Sequence, residues 1–312
     1  MKKIIFIIAI SLLAISAIFA YIYFDSHRPK HFEVDFLDIG QGDSALIKFA
    51  NGQKMLVDCG PNKIVLSALS RHLPFYDHTI DYVLATHPDL DHYGGCVDVL
   101  KRYDVKNIIV NGHEKKYDPY WQEWHKTMLA EPGATIVTMA SPTTWTIASD
   151  TLQFISPDPS FHLAVSAADS NNFSIVFKLT HGKETFLFTG DMEVPLENEL
   201  MKKYCVTSTS ETNTPPAPPF RGESPIPPKK EGREVLAQGC PTLRVDTIKV
   251  GHHGSKSSSS DEFLAVMQAK IAVVSVGAHN HYGHPSPRVL HRLERARARI
   301  LRTDELGDII TE

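Results

Sequence analysis

The run Thr86-His87-Pro88-Asp89-Leu90-Asp91-His92-Tyr93-Gly94-Gly95 places two imidazoles and two carboxylates within six positions. Imidazole nitrogen and carboxylate oxygen together suit a divalent first-row metal. His and Asp also populate ordinary capping turns. Here they follow the apolar run at 82–85 and precede Gly94-Gly95, which let another segment of chain approach closely. A loop between a strand and a helix turns alternate side chains into one cleft. A metal held there would lower the pKa of bound water and polarise a phosphoryl or carbonyl oxygen.

The elements that must carry this loop are legible as periodicity. β-type runs occur at 32–37, 45–49, 54–57 and 82–85, then at 107–110, 135–137, 152–155, 174–179, 185–189, 247–250 and 271–276. Helical spacing appears at 64–73, 96–103, 121–129, 195–203, 261–269 and 287–298. Strands interleaved with helices predict two sheets covered by helices on their outer faces, an α/β sandwich. The stretch 206–234, with Pro-Pro at 215, 218 and 227, cannot bury apolar surface and is predicted to be a disordered insertion. No internal sequence repeat is evident.

The 312 residues are 42% hydrophobic and 22% charged, enough for a substantial core. A net charge of −4 argues against coating nucleic acid by bulk electrostatics, so any such role must be local. Met1-Lys2-Lys3 precede an apolar run at 4–24, followed by Asp25, His27, Arg28 and Lys30. That run reaches the ~20 residues a bilayer-spanning helix needs and exceeds the usual signal-peptide core. Residues 1–30 are therefore expected to be a membrane anchor at the bacterial cytoplasmic membrane, with 31–312 as an extracytoplasmic domain. The alternative is secretion after cleavage behind Ala20, against which the bulky Ile18 stands. Cys59, Cys96, Cys205 and Cys240 show no C-x-x-C spacing and are not the metal site. Cys205 and Cys240 flank the proline-rich stretch and would either close it as a disulfide loop or remain free thiols.

The metal loop resembles that of the metallo-β-lactamase superfamily, in the variant of ComEC-type DNA-uptake proteins. Other blocks agree in order and spacing. Asp38-Ile39-Gly40-Gln41-Gly42-Asp43-Ser44 is similar to the family's opening motif, and Leu56-Val57-Asp58-Cys59-Gly60 to its next strand. Asn171-Asn172-Phe173-Ser174, Phe188-Thr189-Gly190-Asp191 and Val250-Gly251-His252-His253-Gly254-Ser255 follow, then Asn280-His281-Tyr282-Gly283-His284-Pro285 and Arg302-Thr303-Asp304-Glu305. The resemblance implies an αββα sandwich of two mixed β-sheets flanked by helices, preceded by the hydrophobic N-terminal helix. It also implies that His87 and Asp89 hold one metal, that Asp91, His92 and His253 hold a second, and that Asp191 bridges them. Asp58, Asn171, His252, Gln41 and Asp43 would support these ligands or meet the substrate. The family's commoner loop has histidine where this chain has Asp89, and another where it has Asn171. A donor set richer in oxygen moves the expectation from zinc (Zn2+) alone toward manganese (Mn2+) or magnesium (Mg2+), with one or two ions.

The reading implied is a metal-dependent phosphodiesterase or nuclease acting on DNA outside the membrane. Asp91 and Asp191 would orient the attacking water, and His284 would contact a phosphate or donate a proton to the leaving group. Ser255 and the amides of 254–257, expected to open the helix at 261–269, would suit an anionic group; an ordinary helix cap is the rival reading. Arg288, Arg292, Arg295, Arg297 and Arg299 read as a solvated helix face, and Trp121, Trp124 and Tyr120 as core packing before base stacking. The alternatives are hydrolysis of another exported substrate, a cell-wall phosphodiester or a lactam, or a catalytically silent metal-binding adaptor.

Overall fold

Alternating inward-facing apolar side chains on two sets of strands build two sheets, and the residues left facing outward take helices. The computed structural model describes residues 2–26, 30–163, 169–205 and 240–311, and the insertion predicted at 206–234 lies outside them. Helix α1 (Lys2–Ser26) is long and apolar enough to cross a membrane, with a mean hydropathy of 2.7 over Lys3–Asp25. The first sheet comprises β1 (Glu33–Phe36), β2 (Ala45–Lys48), β3 (Lys54–Val57), β4 (Thr79–Leu84), β5 (Asp104–Val110) and β6 (Thr135–Thr138), with β14 (Ile309–Thr311) outside β1. The second runs from β7 (Thr143–Ile147) through β8 (Asp150–Ser156), β9 (Val176–His181), β10 (Glu184–Phe188), β11 (Thr247–Lys249) and β12 (Ile271–Val274) to β13 (Arg299–Arg302).

Helices α2 (Ile64–His72), α3 (Leu90–Tyr93), α4 (Cys96–Arg102) and α5 (Pro119–Ala130) lie along the first half of the chain. Helices α6 (Val194–Tyr204), α7 (Asp261–Met267), α8 (Pro287–Arg295) and α9 (Thr303–Leu306) lie along the second. Three apolar layers result. Val65, Leu69, Val99, Trp121 and Trp124 pack helices on the first sheet; Leu196, Leu200, Phe263, Val289 and Leu293 pack helices on the second. Between the sheets lies a phenylalanine-rich layer, in which Phe177 stacks on Phe188 at 4.7 Å and Phe36 on Phe188 at 5.8 Å between ring centroids. Trp121 and Trp124 are buried in the core, as their helical spacing suggested.

The two sheets repeat one topology, although the sequence carries no visible repeat. Pairing from β14 through β1 and β2 to β3 is antiparallel, and from β3 through β4 and β5 to β6 parallel. In the second sheet β7 to β10 pair antiparallel and β10 to β13 parallel. The switch from antiparallel to parallel falls at β3 and at β10.

Strands β7, β13 and β14 are absent from the periodicity reading. All three are edge strands with partly exposed residues, so the continuous or alternating apolar signal of a buried strand is missing. Cys205 pairs with Cys240, and Cys59 with Cys96. No free cysteine remains among the described residues.

Candidate metal centre

The residues with metal-binding chemistry gather at the carboxyl ends of β3, β4, β10 and β11. Asp58 follows β3, the His87–His92 loop follows β4, Asp191 follows β10, and His252-His253 follow β11. Asp91, His92, Asp191 and His253 each offer a ligand atom, and these atoms all lie within 4.8 Å of one another. His92 Nε2 is 3.2 Å from Asp191 Oδ1, and His253 Nε2 is 3.2 Å from Asp91 Oδ2 and 3.5 Å from Asp191 Oδ2. His92 Nε2, Asp191 Oδ1 and His87 Nε2 are buried without a hydrogen-bond partner. His92 Nε2 and Asp191 Oδ1 face each other at ion-pair distance without a hydrogen bond, and buried polar atoms so placed are costly unless a ligand completes them. The donor set therefore fits a divalent ion.

Each imidazole is oriented from its other nitrogen. His92 Nδ1 meets Asp58 Oδ2 at 2.8 Å, and His253 Nδ1 donates to the carbonyl of Ser275 at 3.0 Å. Thr86 gives its hydroxyl to Asp58 Oδ2 at 2.8 Å and lies 3.1 Å from His87 Nδ1, so that ring can donate to it. In the neutral ring, a proton kept at Nδ1 by these acceptors would leave the Nε2 lone pair facing inward, the tautomer a metal requires. Asp58 also accepts the Thr86 amide at 2.7 Å, joining the ends of β3 and β4.

The backbone is strained to aim these groups. Asp58, His252 and His253 hold φ of 58°, 47° and 51°, left-handed values that cost non-glycine residues on the order of 1–3 kcal/mol each. At Gly42 a Cβ would stand 2.3 Å from the Asp91 carbonyl, so only glycine lets the β1–β2 loop pass behind the metal loop. Through that approach the Asp43 amide donates to the Asp91 carbonyl at 3.2 Å.

Four carboxylates, Asp43, Asp58, Asp91 and Asp191, crowd this volume. Burial opposes a charge on His253, but Asp191, Asp43 and Asp91 outweigh it and lift the imidazole to about 10. His92 is raised for the same reason, Asp191 and Asp58 overcoming its burial. His87 goes the other way, pushed down to about 4 by burial and then by His92. Burial alone would raise Asp191, yet His253 and His92 hold it well below the usual carboxylate range. Lys249 completes the balance: fully inside, its ammonium pairs with the Asp43 carboxylate, donates to the Gly190 carbonyl at 3.0 Å and lies 3.7 Å from Asp191 Oδ1.

Other candidates from the sequence occupy the rim. His252 Nδ1 meets Glu193 Oε1 at 2.8 Å and its Nε2 is 3.8 Å from Asp191 Oδ2, so His253 is the histidine within the four-donor cluster. Asn171 Nδ2 lies 3.3 Å from His252 Nδ1. His284 sits 5.7 Å from His252 between ring centroids, its Nδ1 buried and unpaired. Burial and the neighbouring His252 and His253 depress its pKa. Gln41 Oε1 accepts the Gly277 amide at 3.3 Å, tying together the loops after β1 and β12. Asp89 is 3.9 Å from His87 Nε2, but Lys115 Nζ stands 2.6 Å from its Oδ1 and the Ser170 hydroxyl donates to the same oxygen.

One expectation is corrected. The amides of 254–257 do not open a helix: α7 starts at Asp261, and Ser260 caps it by accepting from the Phe263 amide at 3.2 Å. The cap is set from behind by buried Glu197, which accepts the Ser259 and Ser260 amides. Ser255 instead bonds the Ser257 hydroxyl at 2.9 Å. Sequence reasoning missed Lys249, Thr86, Glu193 and Lys115 as parts of the site. Only Lys249 left a signal, a lone cation inside a short buried strand ahead of Gly-His-His.

This architecture defines a class, and the family model of the metallo-beta-lactamase superfamily matches residues 37–279. The chain belongs to that superfamily. Within it, the chain is 29% identical over 301 residues to ComE operon protein 3 of Bacillus subtilis (strain 168), covering 89% of this chain and 32% of that protein. It is 26% identical to Recombination protein 2 of Haemophilus influenzae, covering 93% of this chain and 30% of the relative. The chain thus spans about a third of the length of these ComEC-type competence relatives. Among solved structures, CmlA, a diiron beta-hydroxylase from Streptomyces venezuelae, shares the fold with a TM-score of 0.50 and 12% identity, over 91% of this chain and 55% of that one.

Proposed function

We propose that this chain is a metal-dependent phosphodiesterase that cleaves DNA outside the cytoplasmic membrane, held there by α1. The observation that carries the reading is the convergence of Asp91, His92, Asp191 and His253, whose donor atoms all lie within 4.8 Å of one another. Likeness to Recombination protein 2 and to Competence protein ComA of Neisseria gonorrhoeae supports DNA as the substrate. Two disulfides support an exported domain, since such bonds persist in oxidising compartments.

A divalent ion bound by these four residues would supply Lewis acidity and a hydroxide nucleophile near neutral pH. The chain's own residues do the rest. Asp91 and Asp191 accept from the attacking water and orient it toward phosphorus. His284 is placed to return a proton to the departing alkoxide, so that water adds across one P–O bond. Burial first, and then His252 and His253, depress its pKa; a phosphate anion beside the ring opposes both and favours the protonated form that can donate.

The test is incubation of the full chain, in detergent, with single- and double-stranded DNA and manganese, magnesium or zinc. Asp191→Ala is expected to abolish metal-dependent cleavage, by a factor on the order of a thousand or more. No cleavage by folded, metal-loaded wild-type protein would refute DNA as the substrate.

A further inference from the structure

The place a second ion would take in this cleft is bounded by His87 and Asp89, and its charge is already supplied. Asp89 Oδ1, the oxygen facing His87 Nε2 at 3.9 Å, has the Lys115 ammonium at 2.6 Å and the Ser170 hydroxyl beside it. A carboxylate oxygen with one cationic and one neutral donor has little left for a metal. Asn171 does not compensate, because its amide turns toward His252 at 3.3 Å. His87 is thus the single imidazole at that place, whereas the Asp91 position gathers two imidazoles and two carboxylates.

Lys115 is not there by the chance reach of a surface side chain. Its loop, between β5 and α5, is fastened to the segment bearing Asn171. Asn111 Nδ2 donates to the Phe173 carbonyl at 2.9 Å, and Asn111 Oδ1 accepts the His113 amide at 2.9 Å. The His113 ring stacks on Phe173 at 4.8 Å, and the Lys115 carbonyl accepts the Asp118 amide at 2.8 Å, fixing the turn into α5. With a third of its side chain exposed, Lys115 pairs with Asp89 and keeps access to solvent.

We infer that the chain works with a single divalent ion, held by Asp91, His92, Asp191 and His253, and that the Lys115 ammonium, fixed by Asp89, stands in for a second. This rests on the metallohydrolase reading above. The lysine gives a phosphoryl oxygen a positive neighbour whose presence does not depend on metal supply.

Full-length protein in detergent, stripped with chelator, is titrated with manganese by equilibrium dialysis and examined by electron paramagnetic resonance. One ion per chain with an uncoupled spectrum is expected. Lys115→Met should let a second ion bind about tenfold more tightly or better, the order of one charge-assisted bond, with a spin-coupled spectrum. Asp89→Asn should leave the affinity of the single ion within about threefold, because Asp89 does not hold it. Two coupled ions in the wild type, an unchanged count in Lys115→Met, or loss of the single ion in Asp89→Asn would each overturn the inference. A chain that binds no ion would sink the metallohydrolase reading with it. A one-ion chain that leaves DNA intact would sink only DNA as the substrate.

Discussion

Lys249→Met removes the one lysine ammonium that, among the described residues, stands inside the carboxylate cluster, and keeps a side chain of similar reach. Its ammonium pairs with Asp43, bonds the Gly190 carbonyl and stands 3.7 Å from Asp191, all within the fold. Burial disfavours its charge, yet Asp43 and Asp191 raise its pKa above the ordinary lysine value, so the cation is stabilised where it stands. Deleting one partner of a buried pair costs about 3–5 kcal/mol, because the other charge stays behind unpaired. Methionine fills most of the volume, so the cavity contribution is small. For a domain this large the loss corresponds to a Tm drop on the order of 10 °C. The assay is thermal and urea unfolding of the metal-free chain, followed by tryptophan fluorescence, with Asp43→Asn and the double variant alongside. The double variant removes both charges and should recover at least about 1.5 kcal/mol relative to additivity. Added manganese should narrow the gap between wild type and Lys249→Met, since a divalent ion restores positive charge near Asp191. A loss below about 1 kcal/mol, or strict additivity with Asp43→Asn, would refute the role given to this lysine.

Two further outcomes follow from the surroundings of the site. Asp58→Asn keeps the size of the side chain but weakens its hold on His92 Nδ1; manganese affinity by calorimetry should fall about 10- to 100-fold, and an unchanged affinity would show that Asp58 does not orient the ligand. Burial raises Glu197 to about 7, above its ordinary 4.5, so the fold favours its protonated form. Its contribution is complete below about 4.5 and is lost as pH rises through about 7, by roughly 3 kcal/mol at most. Urea unfolding of metal-free wild type and Glu197→Gln at pH 5 and pH 7.5 should show the wild type losing more stability over that interval; equal losses would contradict the assignment.

Much of this could be read in the sequence because the ligands are local. Asp91 and His92 of the four-donor cluster share one loop with His87 and Asp89, and the apolar run before it marks a buried parallel strand. What escaped was set by contacts between distant segments. Lys249 owes its role to Asp43, some two hundred residues earlier, and Lys115 reaches Asp89 only because β4 and β5 are neighbours in the sheet. The Cys59–Cys96 bond was equally hidden, since it requires the end of β3 to lie beside the start of α4. β7, β13 and β14 went unread because threonines and arginines make up at least half of the first two and the third is only three residues long, too little for a period to show. The helix starts at Asp261, as its spacing indicated, but the amides of the His-His-Gly-Ser block are not its N-terminus, because Glu197, from another helix, holds the Ser259 and Ser260 amides just before it.

The repeated topology gives the metal centre a mechanical meaning. Asp91 and His92 belong to the first repeat, Asp191 and His253 to the second, so an ion in their midst is a rivet through two plates. Holding the ion and holding the plates together become one thermodynamic quantity, and whatever lets one sheet slide over the other spreads the donors. The grease between the plates is the stack of Phe36, Phe177 and Phe188. Repacking that stack would therefore be felt at the ion, although none of the three rings belongs to the four-donor cluster.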